Sequence, residues 1–273
     1  MPDGAVDVVH GVSELEHVHG PIFAVIGVFD GIHRGHQYLL EHLVAEARAR
    51  GARPAVITFD SHPDEVIVGA APPLLLDPDE RIRLLEEAGV EVIVVQHFDA
   101  ALRMTEYDDF FHRITARARL AGLVMTPDAA FGHDRRGTPD AVRALGEHDG
   151  FDLVIVPPFE IDGRSVRSSD VRTAIAGGDL ARAETLLGRP YGIVATQGPE
   201  GALEVAMPVA LPPAGEFPVV VECLGASEPR AATLVVDGGG GLRIQPPTVA
   251  PACDRVLASF APSMVSLLPS AGH

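Results

Sequence analysis

Five short runs rich in Val and Ile recur over the first two-thirds of the chain, at residues 22–28, 54–59, 92–95, 122–125 and 153–156. None alternates with polar residues. A strand with one wet face must alternate, so these runs read as strands buried on both faces, the condition of a parallel sheet covered by helices. The segments between them supply those helices. In residues 35–50, Leu39, Leu40, Leu43, Val44 and Ala47 repeat at helical spacing while Glu41, Glu46 and Arg48 face water. Residues 79–88 follow Pro78 with Ile82, Leu84 and Leu85 on the buried side, and 107–120 and 139–148 read as further helices. Strands alternating with helices predict an α/β, Rossmann-like domain, with ligands beyond the C-terminal ends of the strands.

From about residue 188 the texture changes. Helical periodicity stops, charge thins, and Gly and Pro become frequent. Apolar stretches at 203–207, 218–223, 232–236 and 242–245, with Gly238-Gly-Gly-Gly241 between the last two, predict short antiparallel strands. The expected organisation is an α/β domain over 1–187 and a small β-barrel-like domain over 188–273, with a tail from about residue 262.

Composition removes several function classes. The formal charge is −17, so no basic surface is available for nucleic acid or an anionic membrane. The chain contains no Lys, which excludes a P-loop lysine and a Schiff base. No apolar run approaches the roughly 20 residues that span a bilayer, and residues 1–7 lack the basic start of a secretory signal. A cytoplasmic protein acting on small molecules is expected. Cys223 and Cys253 match no metal-ligand spacing and are expected to be free thiols.

The informative stretch is Gly27-Val-Phe-Asp-Gly-Ile-His-Arg-Gly-His36. A buried strand ends, a Gly-containing turn follows, and a helix opens near Gly35. Backbone N–H groups and the positive end of a helix dipole then sit beside a strand end, which suits an anion. Gly27, Gly31 and Gly35 let the backbone approach a ligand or take positive φ. His33 and His36, three apart, can project from one side of the first turn and donate to phosphate oxygens. The alternatives are a metal site or a helix start with incidental histidines, but helical metal pairs are usually four apart and need a further ligand, whereas the strand, the three glycines and Asp30 together favour phosphate.

A second cluster, Arg164-Ser-Val-Arg-Ser-Ser-Asp-Val-Arg172, precedes a helix containing Val171–Ile175. Ser168 and Ser169 stand where an N-cap belongs. Capping leaves unexplained why Arg164, Arg167 and Arg172 gather in an acidic chain, and guanidinium forks match phosphate.

With both motifs in view, the chain resembles the adenylyltransferase half of the bacterial bifunctional riboflavin kinase/FMN adenylyltransferases (FAD synthetases). The resemblance runs through Gly27–His36, Val56-Ile-Thr-Phe-Asp-Ser-His-Pro63, the segments 74–89 and 128–132, Ser168-Ser-Asp-Val-Arg172 and the segment 178–191. It implies that His33 and His36 contact the ATP phosphates and that Ser168, Ser169 and Arg172 hold the leaving pyrophosphate. Gly27, Phe29, Asp30, Gly35, Asp128 and Arg167 would surround the nucleotide, and Pro63 and Phe131 the flavin. ATP and FMN are the implied substrates and Mg²⁺ the implied cofactor.

Three positions depart from the family pattern: Asp170 stands where Thr is usual, Ser61 replaces a Pro, and Thr126-Pro-Asp-Ala-Ala-Phe-Gly132 lacks a Gly and an aromatic. The family's kinase barrel carries a Pro-Thr-Ala-Asn motif, and this chain contains no Asn; Thr196-Gln-Gly-Pro-Glu-Gly201 is a faint echo of its glycine segment. The resemblance therefore implies AMP transfer to FMN without riboflavin kinase activity. The alternatives are AMP transfer to another phosphorylated acceptor and non-catalytic nucleotide or flavin binding.

Overall fold

The computed structural model describes residues 6–224, 229–246 and 255–261. The chain divides into two compact units, Met1–Pro72 with Arg81–Ser165 and Pro73–Glu80 with Val166–His273.

In chain order the first elements are β1 (Asp7–Val9), β2 (Ile22–Ile26), α1 (Arg34–Ala49), β3 (Arg53–Phe59), α2 (Pro63–Ile67) and α3 (Pro78–Glu87). Next come β4 (Val92–Gln96), α4 (Ala100–Arg103), α5 (Tyr107–Thr115), β5 (Leu120–Met125), α6 (Pro139–Asp149) and β6 (Asp152–Ile155). A small hairpin, β7 (Glu160–Ile161) and β8 (Arg164–Ser165), follows. Strands β1 to β6 form one parallel sheet in the order β1-β4-β3-β2-β5-β6. Each of the five apolar runs forms a strand of it; the central strands are buried on both faces, whereas β6 at the edge is half-buried. Ile22, Phe23, Ala24 and Val25 are all buried in β2, as are Ala55, Val56 and Ile57 in β3. α1 covers β2 and β3 through buried Leu40, Leu43, Val44 and Ala47. The opposite face meets Phe110, Phe111 and Ile114 of α5 and Leu15 of a 3-10 turn over Val12–His17.

Two differences from the sequence reading have clear causes. The helix expected over 107–120 ends at Thr115, because Leu120 is taken by the sheet as the partner of Ile22. Ala, Arg and Leu in 116–120 favour a helix locally, but parallel pairing outweighs that preference. β1 was not foreseen; it is three residues long, and it pairs with a strand 85 residues further along the chain, Asp7 opposite Val92.

In the second unit, α7 (Ser168–Ala176) and α8 (Leu180–Leu187) pack together before β9 (Gly192–Gln197), β10 (Ala202–Glu204), β11 (Gly215–Cys223), β12 (Arg230–Val236), β13 (Leu242–Gln245) and β14 (Arg255–Phe260). These six strands close an antiparallel barrel, so the expected β-barrel-like domain is present. Its strands alternate as a barrel with a filled interior requires: Val256, Ala258 and Phe260 point in along β14, and Leu242 and Ile244 along β13. Cys223 is disulfide-bonded, which corrects the expectation of a free thiol. Sequence spacing could not reveal this, because it depends on β11 pairing with β14, which sets Cys223 opposite Val256. Cys253 and the tail from residue 262 lie outside the described residues.

Candidate active site

The strand order reverses beside β2. The chain moves from β2 to β3 and β4 on one side, then crosses to β5 and β6 on the other. The C-terminal ends of β2 and β5 therefore flank the switch point, where open α/β sheets bind their ligands. Residues 27–33 leave the end of β2, and Asp128 lies just beyond β5, exposed, accepting a hydrogen bond from Thr126 Oγ1 at 2.8 Å.

The loop after β2 is conformationally strained. Phe29, Gly31 and Ile32 have φ of 53°, 85° and 36°; for Phe and Ile this left-handed backbone is costly and persists only where surroundings enforce it. Phe29 and Ile32 are buried, as are Asp30 and His33. A Cβ on Gly27 would come within 3.1 Å of the Phe29 ring, so Gly27 is needed first to seat that ring.

α1 begins at Arg34, and its first-turn N–H groups have no acceptor within the helix. His33 is the N-cap; its Nδ1 accepts the His36 N–H at 3.3 Å. That bond assigns the proton of a neutral His33 ring to Nε2. The His33 and His36 rings stack with centroids 3.8 Å apart, and Phe29 lies 5.0 Å from His36. His36 Nδ1 is buried without a hydrogen-bond partner. Burial, and then the neighbouring His33, hold the His36 pKa well below its ordinary value of 6.5. The free protein thus presents a neutral imidazole with an unused polar atom at the mouth of a helix N-terminus. An incoming polyphosphate would satisfy that atom and draw the pKa upward.

The shift has a consequence for stability. In the unfolded chain this ring takes up a proton near pH 6.5, whereas in the folded chain it does so only at lower pH. Within that window the unfolded state binds more protons, so stability falls as pH drops below 6.5, by at most about 1.4 kcal/mol per pH unit for one proton. Thermal unfolding between about pH 5 and 7 should show a shallower acid slope in His36→Gln than in the parent. Equal slopes would show that the ring titrates normally.

Two residues that sequence reasoning missed hold this loop. The Val28 carbonyl accepts from Thr58 Oγ1 at 3.0 Å and from Arg81 Nη1 at 3.2 Å, while Arg81 Nη2 donates to the Phe59 carbonyl at 2.8 Å. Arg81 is buried. Its signal was present in the sequence: it sits four residues before Leu85, on the apolar side of α3. Arg81→Met should cost about 1.5–3 kcal/mol, since the partly buried Phe59 carbonyl loses its charged donor. Denaturant unfolding measures this, and a change below about 0.5 kcal/mol would place the guanidinium elsewhere.

Beside the loop lies an apolar slot of about 80 Å³, walled by Ile26, Phe59, Phe98, Leu102, Phe110 and Phe131, with Arg103, Thr105 and Gly132 at its edges. Phe131 was foreseen as an acceptor contact and is a wall of this slot. Pro63 is not among its walls; it opens α2, whose N-cap His62 accepts the Asp64 N–H at 3.2 Å. The other aromatic walls come from three separate segments, and no local spacing announces them.

The Ser/Arg cluster belongs to the second unit from Val166 onward, while Arg164 lies in β8 of the first. Arg167, not a serine, is the N-cap of α7, and Ser168 and Ser169 are its first helical residues. Asp170 falls in the first turn, where a carboxylate complements the helix dipole. Arg172 Nε donates to the Pro73 carbonyl at 2.8 Å.

Residues 15–170 match the FAD synthetase family. The chain belongs to the FAD synthetase family. It is 31% identical over 242 residues to the bifunctional riboflavin kinase/FMN adenylyltransferase of Pseudomonas fluorescens, covering 85% of this chain and 78% of that protein. It is 34% identical over 170 residues to the protein of the same name from Escherichia coli K12, covering 62% of this chain and 54% of that one. Among solved structures, one titled a macrolide-efflux protein from Streptococcus pneumoniae superposes with a TM-score of 0.80 over 93% of this chain and 89% of that one. At 23% identity that likeness speaks for the fold alone. The nucleotidyltransferase character expected from the sequence follows from family membership. Among the described residues no helix is long and apolar enough to cross a membrane.

Proposed function

We propose that this protein transfers AMP from ATP to FMN, forming FAD and releasing pyrophosphate, and that it has no riboflavin kinase activity. The observation that carries this reading is the stacked His33–His36 pair, with its buried unpartnered Nδ1, on a strained loop at the sheet's switch point. A phosphate oxygen of the acceptor attacks the α-phosphorus of ATP. The bond to the bridging oxygen breaks, and its electron pair leaves with pyrophosphate. Neutral imidazoles act here as hydrogen-bond donors to oxygens that gain charge during attack, with no covalent enzyme intermediate. Ser168, Ser169 and Arg172 would receive the pyrophosphate, as the family resemblance implies, and Asp128 and Arg167 would face the nucleotide. Mg²⁺ would enter with ATP, because this ion is usually held by substrate phosphates and one or two carboxylates. Among the described residues no group of three His, Cys, Asp or Glu side chains gathers to hold a metal alone. We place the reaction in the cytoplasm, without nucleic-acid partners.

One observation favours a second reading, AMP transfer to a different phosphorylated acceptor. The slot of about 80 Å³ is far smaller than the roughly 300 Å³ or more of ordinary ligand sites, so a tricyclic ring requires its walls to move apart. A panel of phosphorylated acceptors, with riboflavin included, tests both claims by pyrophosphate release and chromatography. FMN should be the best acceptor, and riboflavin with ATP should give no FMN above a no-protein control. A better acceptor than FMN would establish the second reading, and FMN formed from riboflavin would refute the loss of kinase activity.

A further inference from the structure

A larger cavity, of about 570 Å³, lies in the first unit on the other side of the slot's Leu102 and Phe110. It opens between the segment Gly11–Ser13, the end of β4, and α5 with the turn that follows it. We propose that this cavity is a second ligand site, for a small organic anion with an apolar or aromatic body and a phosphate or carboxylate head.

The floor and the rim differ in chemistry. Phe110 and Arg113 are three apart on one face of α5, Arg117 follows in the turn after it, and all three line the cavity. Phe110 is buried and, with Val12, gives an apolar floor. Arg113 and Arg117 are exposed above it. Among the described residues neither forms an ion pair with a carboxylate, although the chain carries a net charge of −17 and Asp109 sits one turn before Arg113. By contrast Arg50, Arg53 and Arg255 are each paired with two carboxylates.

Cations near a helix C-terminus complement its dipole, and Arg117 does donate to the Arg113 carbonyl at 3.4 Å. That role accounts for one guanidinium. Two like charges four residues apart disfavour each other, and an anion between them removes the conflict. The facing wall does not oppose an anion. Asp60 Oδ2 meets His97 Nδ1 at 2.6 Å, and Asp60 Oδ1 accepts the Phe98 N–H at 3.2 Å, so its charge is already compensated. The same contact raises the His97 pKa, so the two groups carry opposite charges together and leave that wall close to neutral. Gln96 Oε1 is occupied by the Val12 N–H at 3.0 Å, which holds the Gly11–Ser13 segment in place as the third wall.

The test uses phenyl phosphate as probe, with inorganic phosphate and phenol as its two halves, titrated into the ¹⁵N-labelled full chain. Phenyl phosphate should move the amides of Gly11, Gln96 and His97 saturably, and each half alone should bind at least about tenfold more weakly. Arg113→Glu/Arg117→Glu should weaken phenyl phosphate by about tenfold or more, with the milder Gln/Gln pair in between. Both side chains are exposed, so the variants should keep the parent's unfolding temperature. Undiminished binding by the charge-reversed variant would overturn the proposal. So would saturable shifts confined to residues 27–36, equal binding of either half-probe, or no saturable shift at these amides.

Discussion

Replacing His36 by alanine should slow AMP transfer by about 10²- to 10³-fold, the scale of losing one preorganised donor to a developing charge. The fold should survive, because His36 is only half-buried and its ring makes no side-chain hydrogen bond among the described residues. The loss should fall on kcat more than on KM, since the donor matters most when charge moves onto the phosphate oxygens. His33→Ala is a different experiment. It also removes the N-cap acceptor of α1, so part of its effect should appear as about 1 kcal/mol of stability. Unchanged turnover in a well-folded His36→Ala protein would remove the imidazole pair from the chemistry.

The second large effect concerns the slot. Gly132 has φ of 70°, and a Cβ there would lie 2.7 Å from Tyr107 Cα and 2.9 Å from Tyr107 Cβ, where α5 begins. A side chain cannot be seated without moving that backbone, and the neighbouring Phe131 and Thr105 are part of the slot. Gly132→Ala should therefore cost about 3 kcal/mol or more and weaken acceptor binding by more than about tenfold. Gly150 is the internal comparison. Its φ is 83°, yet nothing lies within 4 Å of its Cβ position. Gly150→Ala carries the backbone cost alone, about 1 kcal/mol. Equal losses at the two positions, measured by denaturant unfolding, would show that the Tyr107 contact relaxes freely.

What could be read in the sequence was what is encoded locally. β2 to β6 announce themselves because strands buried on both faces are continuously apolar, and α1 because its stripe repeats. The loop after β2 was legible through Gly27, Gly31, His33 and His36, whose spacing defines a strand-turn-helix. Its supports were not, since Arg81 and Thr58 reach the Val28 carbonyl from 53 and 30 residues away. Phe98 and Phe110 become neighbours of Phe131 only through the crossover from β4 to β5. The serine cluster was located correctly as a helix start, but the cap fell one residue early, on Arg167. Seryl propensity for N-cap positions yielded there to the extended backbone of Arg167, with φ of −131° and ψ of 153°.

Incubation with Mg²⁺, FMN and ATP labelled at the α-phosphorus tests the central claim most directly. The label should appear in FAD, with one pyrophosphate released for each FAD formed. Label that stays in ATP while FMN is recovered unchanged, from protein that binds ATP, would contradict AMP transfer to FMN.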